Sequence, residues 1–184
     1  MSRPKPSTFA VLCTLLLIPV ALHAQTEPAR EEDAQRWSLH WGTGFDQQRI
    51  GVHWESPITW TSTWLGRRVA LSHEVGIAAW SYTGPNQVGQ NRSLAQISAI
   101  PIVRWWVAEA VFLEGGIGAT WVSNTALGPR KLSTHFQFGD HMGVGYRMSH
   151  SQLVGLRYSH YSNASIKRPN QGLDIFQFTV RSTF

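Results

Sequence analysis

The chain of 184 residues has one cysteine, Cys13. It follows Leu12 inside an N-terminal apolar run, so it is not placed as a lipidation site at the end of that run. With no second thiol, a disulfide framework is excluded. Charge is also sparse, at 15% of residues. Setting aside Arg3 and Lys5 with the leader described below, 16 basic against 11 acidic residues become 14 against 11, or +3. That balance is too mild to signal a nucleic-acid partner. After residue 24 there is no unbroken apolar run of the roughly 20 residues that a membrane helix needs, which excludes a helical membrane protein. No amphipathic helical period of strength comparable to the strand alternation described below is present either.

What is abundant is tryptophan, with nine residues, in a chain whose mean hydropathy is slightly negative. A β-barrel reconciles the two, because its apolar residues occupy every second position and dilute the average. Residues 1–24 read as a secretory signal peptide: Arg3 and Lys5, then Phe9 to Leu22, then a Leu22-His-Ala24 cleavage end. Residues 25–35 are polar and read as a flexible leader, and residues 36–184 as the folded domain.

Alternation begins at once. Trp37, Leu39 and Trp41 alternate with Ser38, His40 and Gly42; Ile50, Val52 and Trp54 alternate with Arg49, Gly51, His53 and Glu55. The same period recurs from Val69 to Ile77, from Val111 to Trp121, from Phe136 to Tyr146, from Leu153 to Ser162 and from Phe176 to Phe184, with a less regular stretch over Leu94 to Arg104. Eight strands of about ten residues predict an all-β, eight-stranded antiparallel transmembrane barrel. The alternate face is Gly, Ser, His, Gln and Arg, which suits a polar lumen. A soluble lipocalin-like barrel, with an apolar interior, is the alternative. Trp37, Trp54, Trp121 and Tyr158 near strand ends suit interfacial girdles.

An even strand number puts both termini on one side, with short turns there and long loops opposite. Segments 106–109 and 149–152 are short, and 81–92, 122–132 and 163–171 are long. Segment 56–68 is longer than a turn on the terminal side should be. His40, His53, His73, His135 and His141 fall on separate strands without metal-ligand spacing, so they read as lumen or interface residues and no metal or cofactor is expected. Glycines 115, 116, 118, 143 and 145 precede no helix, so a phosphate loop is unsupported. Asp140, between Phe138 and Met142, marks a bulge or a contact behind the site.

His160 and Ser162 stand two residues apart and leave the same apolar face as Val154, Leu156 and Tyr158. Asp174, on the register of Phe176 and Phe178, reaches the same face of the next strand. A serine needs a positioned base, and that base needs a carboxylate on its far nitrogen. The three residues therefore suggest acyl transfer on lipid. Ordinary polar residues in the headgroup layer would give the same spacing.

The stretch His160-Tyr-Ser-Asn-Ala-Ser-Ile-Lys-Arg-Pro-Asn-Gln-Gly172 resembles the signature of the PagL-type lipid A 3-O-deacylases, outer-membrane enzymes with an eight-stranded barrel. Weaker similarity covers Phe138 to Gly145 and Leu113 to Gly118. The resemblance implies His160 as general base, Ser162 as nucleophile and Asp174 as the acid. It also implies Asn170, with Asn163 as a second candidate, in oxyanion stabilisation or positioning. The family's acid is commonly a glutamate, one methylene longer than Asp174, and Ser165 stands where a glycine often follows.

The implied reaction is hydrolysis of the 3-position ester of lipid A in the outer leaflet, without a cofactor, with Lys167 and Arg168 as candidate partners for substrate phosphates. Partners are thus lipopolysaccharide and outer-membrane lipids, and a second copy of the chain is also a candidate. A non-catalytic structural barrel and a barrel lipid acyltransferase stay open beside the deacylase.

Overall fold

The computed structural model describes residues 34–85 and 89–183. The signal peptide, the leader up to residue 33 and the terminal Phe184 lie outside the described residues. The strands are β1 (Arg36–Gly44), β2 (Gln47–Glu55), β3 (Trp60–Trp64), β4 (Arg67–Tyr82), β5 (Ser93–Trp106), β6 (Val111–Val122), β7 (Ala126–Leu127), β8 (Arg130–Lys131), β9 (Phe136–Arg147), β10 (Gln152–Ser162) and β11 (Leu173–Thr183).

Eight of these close a ring. Strand β1 pairs with both β2 and β11, β2 with β4, and antiparallel neighbours continue through β5, β6, β9 and β10 back to β11. Closure leaves no free edge among those eight, as a backbone in lipid requires. Strands β7 and β8 form a small hairpin inside the long 123–135 loop.

The period-two pattern sorts side chains as expected. Trp37, Leu39, Trp41, Ile50, Ile77, Ile97, Ile117 and Phe176 are exposed on the outer wall, while Ser38, His40, Arg49, Gln96, Thr120 and Gln177 are buried. The lumen is not uniformly polar, however. At the long-loop end it holds a buried apolar cluster that includes Trp80, Leu94, Leu132, Tyr161 and Ile175, and at the terminal end Trp106, Phe112 and Leu153. Inward Leu94, Ile100 and Ile102 explain why the fourth segment alternates poorly: both of its faces are apolar.

Between the two clusters lies a buried ionic layer. Glu114 accepts from Arg104 at 3.2 Å, Arg157 at 2.9 Å and Arg181 at 2.8 Å. Arg157 also bridges to Glu74 at 2.9 Å, and Arg104 pairs with Glu55. An eight-stranded barrel has an interior just wide enough for side chains to fill.

The long 56–68 segment is no loose turn. Strand β3 continues the line of β2 after a break at residues 56–59 and pairs with the start of β4, Trp60 opposite Leu71. Leu65 (φ 50°) and Gly66 (φ 70°) close the tip, the left-handed pair that a two-residue hairpin turn demands. The hairpin thus extends past the ring by five residues on the β3 side.

Candidate active site

Strands β10 and β11 are antiparallel neighbours whose register sets His160 directly across from Asp174, with Tyr158 across from Phe176. In an antiparallel pair, directly opposed side chains stand within contact distance on one face. His160 Nδ1 lies 2.7 Å from Asp174 Oδ1, and the two side chains are 36% and 21% exposed. The same Oδ1 accepts a second hydrogen bond from the Tyr158 hydroxyl at 2.6 Å. On the other flank, β9 places Asp140 opposite His160 in an unbroken ladder, so the bulge expected at Asp140 is absent. Asp140 is thus the cross-strand neighbour of His160 on β9, with no hydrogen bond to it among the described residues.

Ser162 leaves the same face at the end of β10. Among the described residues, its hydroxyl has one hydrogen-bond contact, from the Ala164 N–H at 3.5 Å. Side chain and imidazole share one face, but among the described residues no hydrogen bond joins the Ser162 hydroxyl to His160. In this state the hydroxyl is turned to the Ala164 amide.

The chain then makes a tight turn. Ala164 and Ser165 both adopt left-handed φ, at 50° and 64°, and the Ile166 N–H donates to Asn163 O at 3.0 Å. Two consecutive left-handed residues aim successive N–H groups in a way that favours an anion. The glycine position now filled by Ser165 thus does require a positive φ, and so does its neighbour.

Asn163 lies on the opposite face from Ser162, fully buried. Its amide donates to Leu132 O at 2.8 Å and to Lys167 O at 2.9 Å, so its side chain braces the loop from inside the wall. Asn170 Oδ1 accepts the Asn163 N–H at 3.2 Å, fixing the backbone just before the Ala164 amide. Further bonds tie this loop to its neighbour: Ser133 Oγ to Pro169 O at 2.6 Å, and Lys131 N–H to Gln171 Oε1 at 2.7 Å. Lys167 and Arg168 are exposed on the outer rim of the loop.

Gly172 (φ 66°) was quoted in the motif but given no role by its position in the sequence. A Cβ there would come within 2.7 Å of His160 Cε1. Tyr158 is expected from the sequence on the face of His160 and in an interfacial girdle; the structure adds that its hydroxyl reaches Asp174.

An open apolar groove of about 730 Å³ runs down the outer wall from this point, lined by Trp41, Met142, Leu156, Tyr158, Phe176 and Phe178 among others.

Two other clusters carry the same residue types and are sealed in the lumen. Ser159 Oγ lies 2.6 Å from His141 Nδ1 and accepts from Gln177 Nε2 at 2.6 Å; both residues are buried, so no ester reaches them. His40, His53 and Glu74 bring ligand atoms within 4.8 Å of one another. Arg49 Nη2, which can only donate, bonds His53 Nε2 at 3.2 Å. The His53 proton is then on Nδ1, 3.3 Å from Glu74, and the ring has no lone pair left for a metal. His40 and His53 stack with centroids 4.1 Å apart, so their in-plane lone pairs do not converge. These histidines pack the lumen.

Residues 25–183 match the family described as lipid A 3-O-deacylase (PagL). The lipid A deacylase PagL of Bordetella bronchiseptica is 43% identical over 149 residues, covering 80% of this chain and 82% of that protein. The Pseudomonas aeruginosa lipid A deacylase PagL is 29% identical over 168 residues, covering 87% and 94%. A crystal structure of the outer-membrane enzyme PagL superposes with a TM-score of 0.67 at 23% identity, over 81% of this chain and 99% of that one.

Proposed function

The chain belongs to the lipid A 3-O-deacylase (PagL) family, and from that premise we propose that it hydrolyses the 3-O-acyl ester of lipid A with Ser162 as nucleophile. The observation that carries the proposal is the His160–Asp174 hydrogen bond at 2.7 Å on the outer face of a closed barrel, with Ser162 two residues along. A catalytic constellation facing lipid has no structural use, and a charge there costs up to about 1 kcal/mol even near the interface.

The chemistry follows from which nitrogen is engaged. Asp174 accepts a hydrogen bond from Nδ1–H, so the Nε2 lone pair is free to act as base. Nε2 takes the Ser162 proton as Oγ attacks the ester carbonyl carbon. The resulting oxyanion is stabilised by the Ala164 N–H, which already reaches toward Oγ, and by the Ser165 N–H beside it. Asn170 serves by holding the Asn163 backbone, and Asn163 by bracing the loop. Collapse expels the sugar 3-oxygen, which takes the proton from Nε2. Water gives a proton to the same nitrogen as it attacks the acyl carbon; Ser162 Oγ then leaves, taking that proton back from Nε2, and the 3-hydroxy fatty acid is released.

The apolar groove below Asp174 would receive the acyl chain, and Lys167 and Arg168 would meet the phosphates. With the terminal end of the barrel toward the periplasm, the site lies at the outer leaflet, where the ester is.

Mass spectrometry of lipid A from cells expressing wild type, Ser162→Ala or His160→Asn tests this reading. Loss of one 3-hydroxyacyl chain with wild type alone is expected. Unchanged lipid A with wild type, or full deacylation by Ser162→Ala, contradicts it.

A further inference from the structure

Asp174 receives a second donor that hydrolysis by a serine, a histidine and a carboxylate does not require. The Tyr158 hydroxyl bonds the same Oδ1 that His160 Nδ1 bonds, at 2.6 Å. A tyrosine on the outer wall near a membrane interface ordinarily turns its hydroxyl to water or headgroups. Here it is spent on the carboxylate.

The surroundings explain why a second donor matters. Asp174 lies on the exposed wall, its side chain 21% accessible, and among the described residues it accepts hydrogen bonds from these two side chains. An aspartate has two side-chain torsions, and a carboxylate on a wall has few neighbours to fix them. The phenol is itself fixed: its ring packs on Phe176 with centroids 5.3 Å apart, and cross-strand pairing sets Tyr158 opposite Phe176. A rigid ring delivering one strong hydrogen bond to a charged oxygen restrains that oxygen.

We propose that Tyr158 is a positioning residue that holds the Asp174 carboxylate on His160 Nδ1 while the imidazole gains and loses its proton. Tyr158 touches neither the ester nor the nucleophile; it acts through Asp174. The role rests on the hydrolytic mechanism above. A girdle tyrosine would tolerate loss of its hydroxyl without kinetic effect, which separates the two readings.

The test uses the purified full chain in detergent micelles with lipopolysaccharide as substrate, measuring kcat and KM. Tyr158→Phe keeps the ring and its packing and removes one oxygen. It is expected to lower kcat about tenfold, a modest part of what general-base catalysis contributes, with KM nearly unchanged. Tyr146→Phe, which removes a hydroxyl from the exposed wall at the other end of the barrel, is expected to keep wild-type kcat. Because Tyr158 acts through the carboxylate, Asp174→Asn and the double variant are expected to share one kcat.

Wild-type kcat in Tyr158→Phe, or an equal loss whether or not Asp174 is present, overturns the positioning role. If Ser162→Ala is inactive in that same assay, only that role falls. If Ser162→Ala is active, the hydrolytic mechanism fails and the role goes with it.

Discussion

His160 and Asp174 face each other across β10 and β11, Nδ1 and Oδ1 separated by 2.7 Å, on a wall otherwise built of Leu156, Phe176 and Phe178. An asparagine at 174 keeps the size but offers the imidazole an amide, which can hold the wrong tautomer. Asp174→Asn is expected to lower kcat by about 10² or more with the barrel intact. Steady-state kinetics on the purified protein checks it, and a variant with full activity removes Asp174 from the mechanism.

Gly172 lets the imidazole lie against the loop backbone. With φ at 66° and a Cβ 2.7 Å from His160 Cε1, Gly172→Ala both strains the chain and pushes the ring. Activity is expected to fall about tenfold, an order typical of a small misplacement of a catalytic group, while the folded barrel persists. The rate on lipopolysaccharide, beside the heat-dependent gel mobility of the barrel, separates the two effects.

Ser165 sits at φ 64° in the turn that aims the Ala164 amide at Ser162. Glycine adopts that conformation freely, whereas a β-branched residue is a genuine outlier there. Ser165→Gly is expected to keep wild-type kcat and Ser165→Val to lose most of it. Equal activity in both variants would detach the turn from catalysis.

Glu114 is the carboxylate on which three buried guanidinium groups converge. Glu114→Ala leaves cations uncompensated inside the barrel, at a cost of about 3–5 kcal/mol. The urea midpoint of the folded protein should drop accordingly; a midpoint within experimental error of wild type refutes the view that this layer holds the lumen together.

The sequence carried the architecture because one face of each strand is lipid-facing: Trp37, Leu39 and Trp41 are apolar for the same reason that Ser38 and His40 are not. His160, Ser162 and Asp174 were legible because polar residues on an apolar face break that pattern. Four features were not. Leu94 and Ile102 point inward, since this lumen is capped by apolar clusters, which period-two reading cannot distinguish from lipid contact. The β3 strand, five residues with Trp60 and Trp64 on one face and two threonines on the other, is too short to announce itself. Asn163 is a candidate for oxyanion stabilisation through the family resemblance, but its one-residue offset from Ser162 sends its side chain to the inner face of the wall. Tyr158 was hidden by its type, because an interfacial tyrosine is common and its hydroxyl partner lies on another strand.

Two serine–histidine pairs stand in one wall, Ser162 with His160 facing out and Ser159 hydrogen-bonded to His141 facing in, and the central claim is that only the outward one is reactive. A long-chain alkyl fluorophosphonate, mapped by peptide mass spectrometry on the intact protein, separates them most directly. The account predicts a single adduct on Ser162, abolished by His160→Asn and unaffected at the buried Ser159. An adduct on Ser159, or undiminished labelling of Ser162 in His160→Asn, would contradict it.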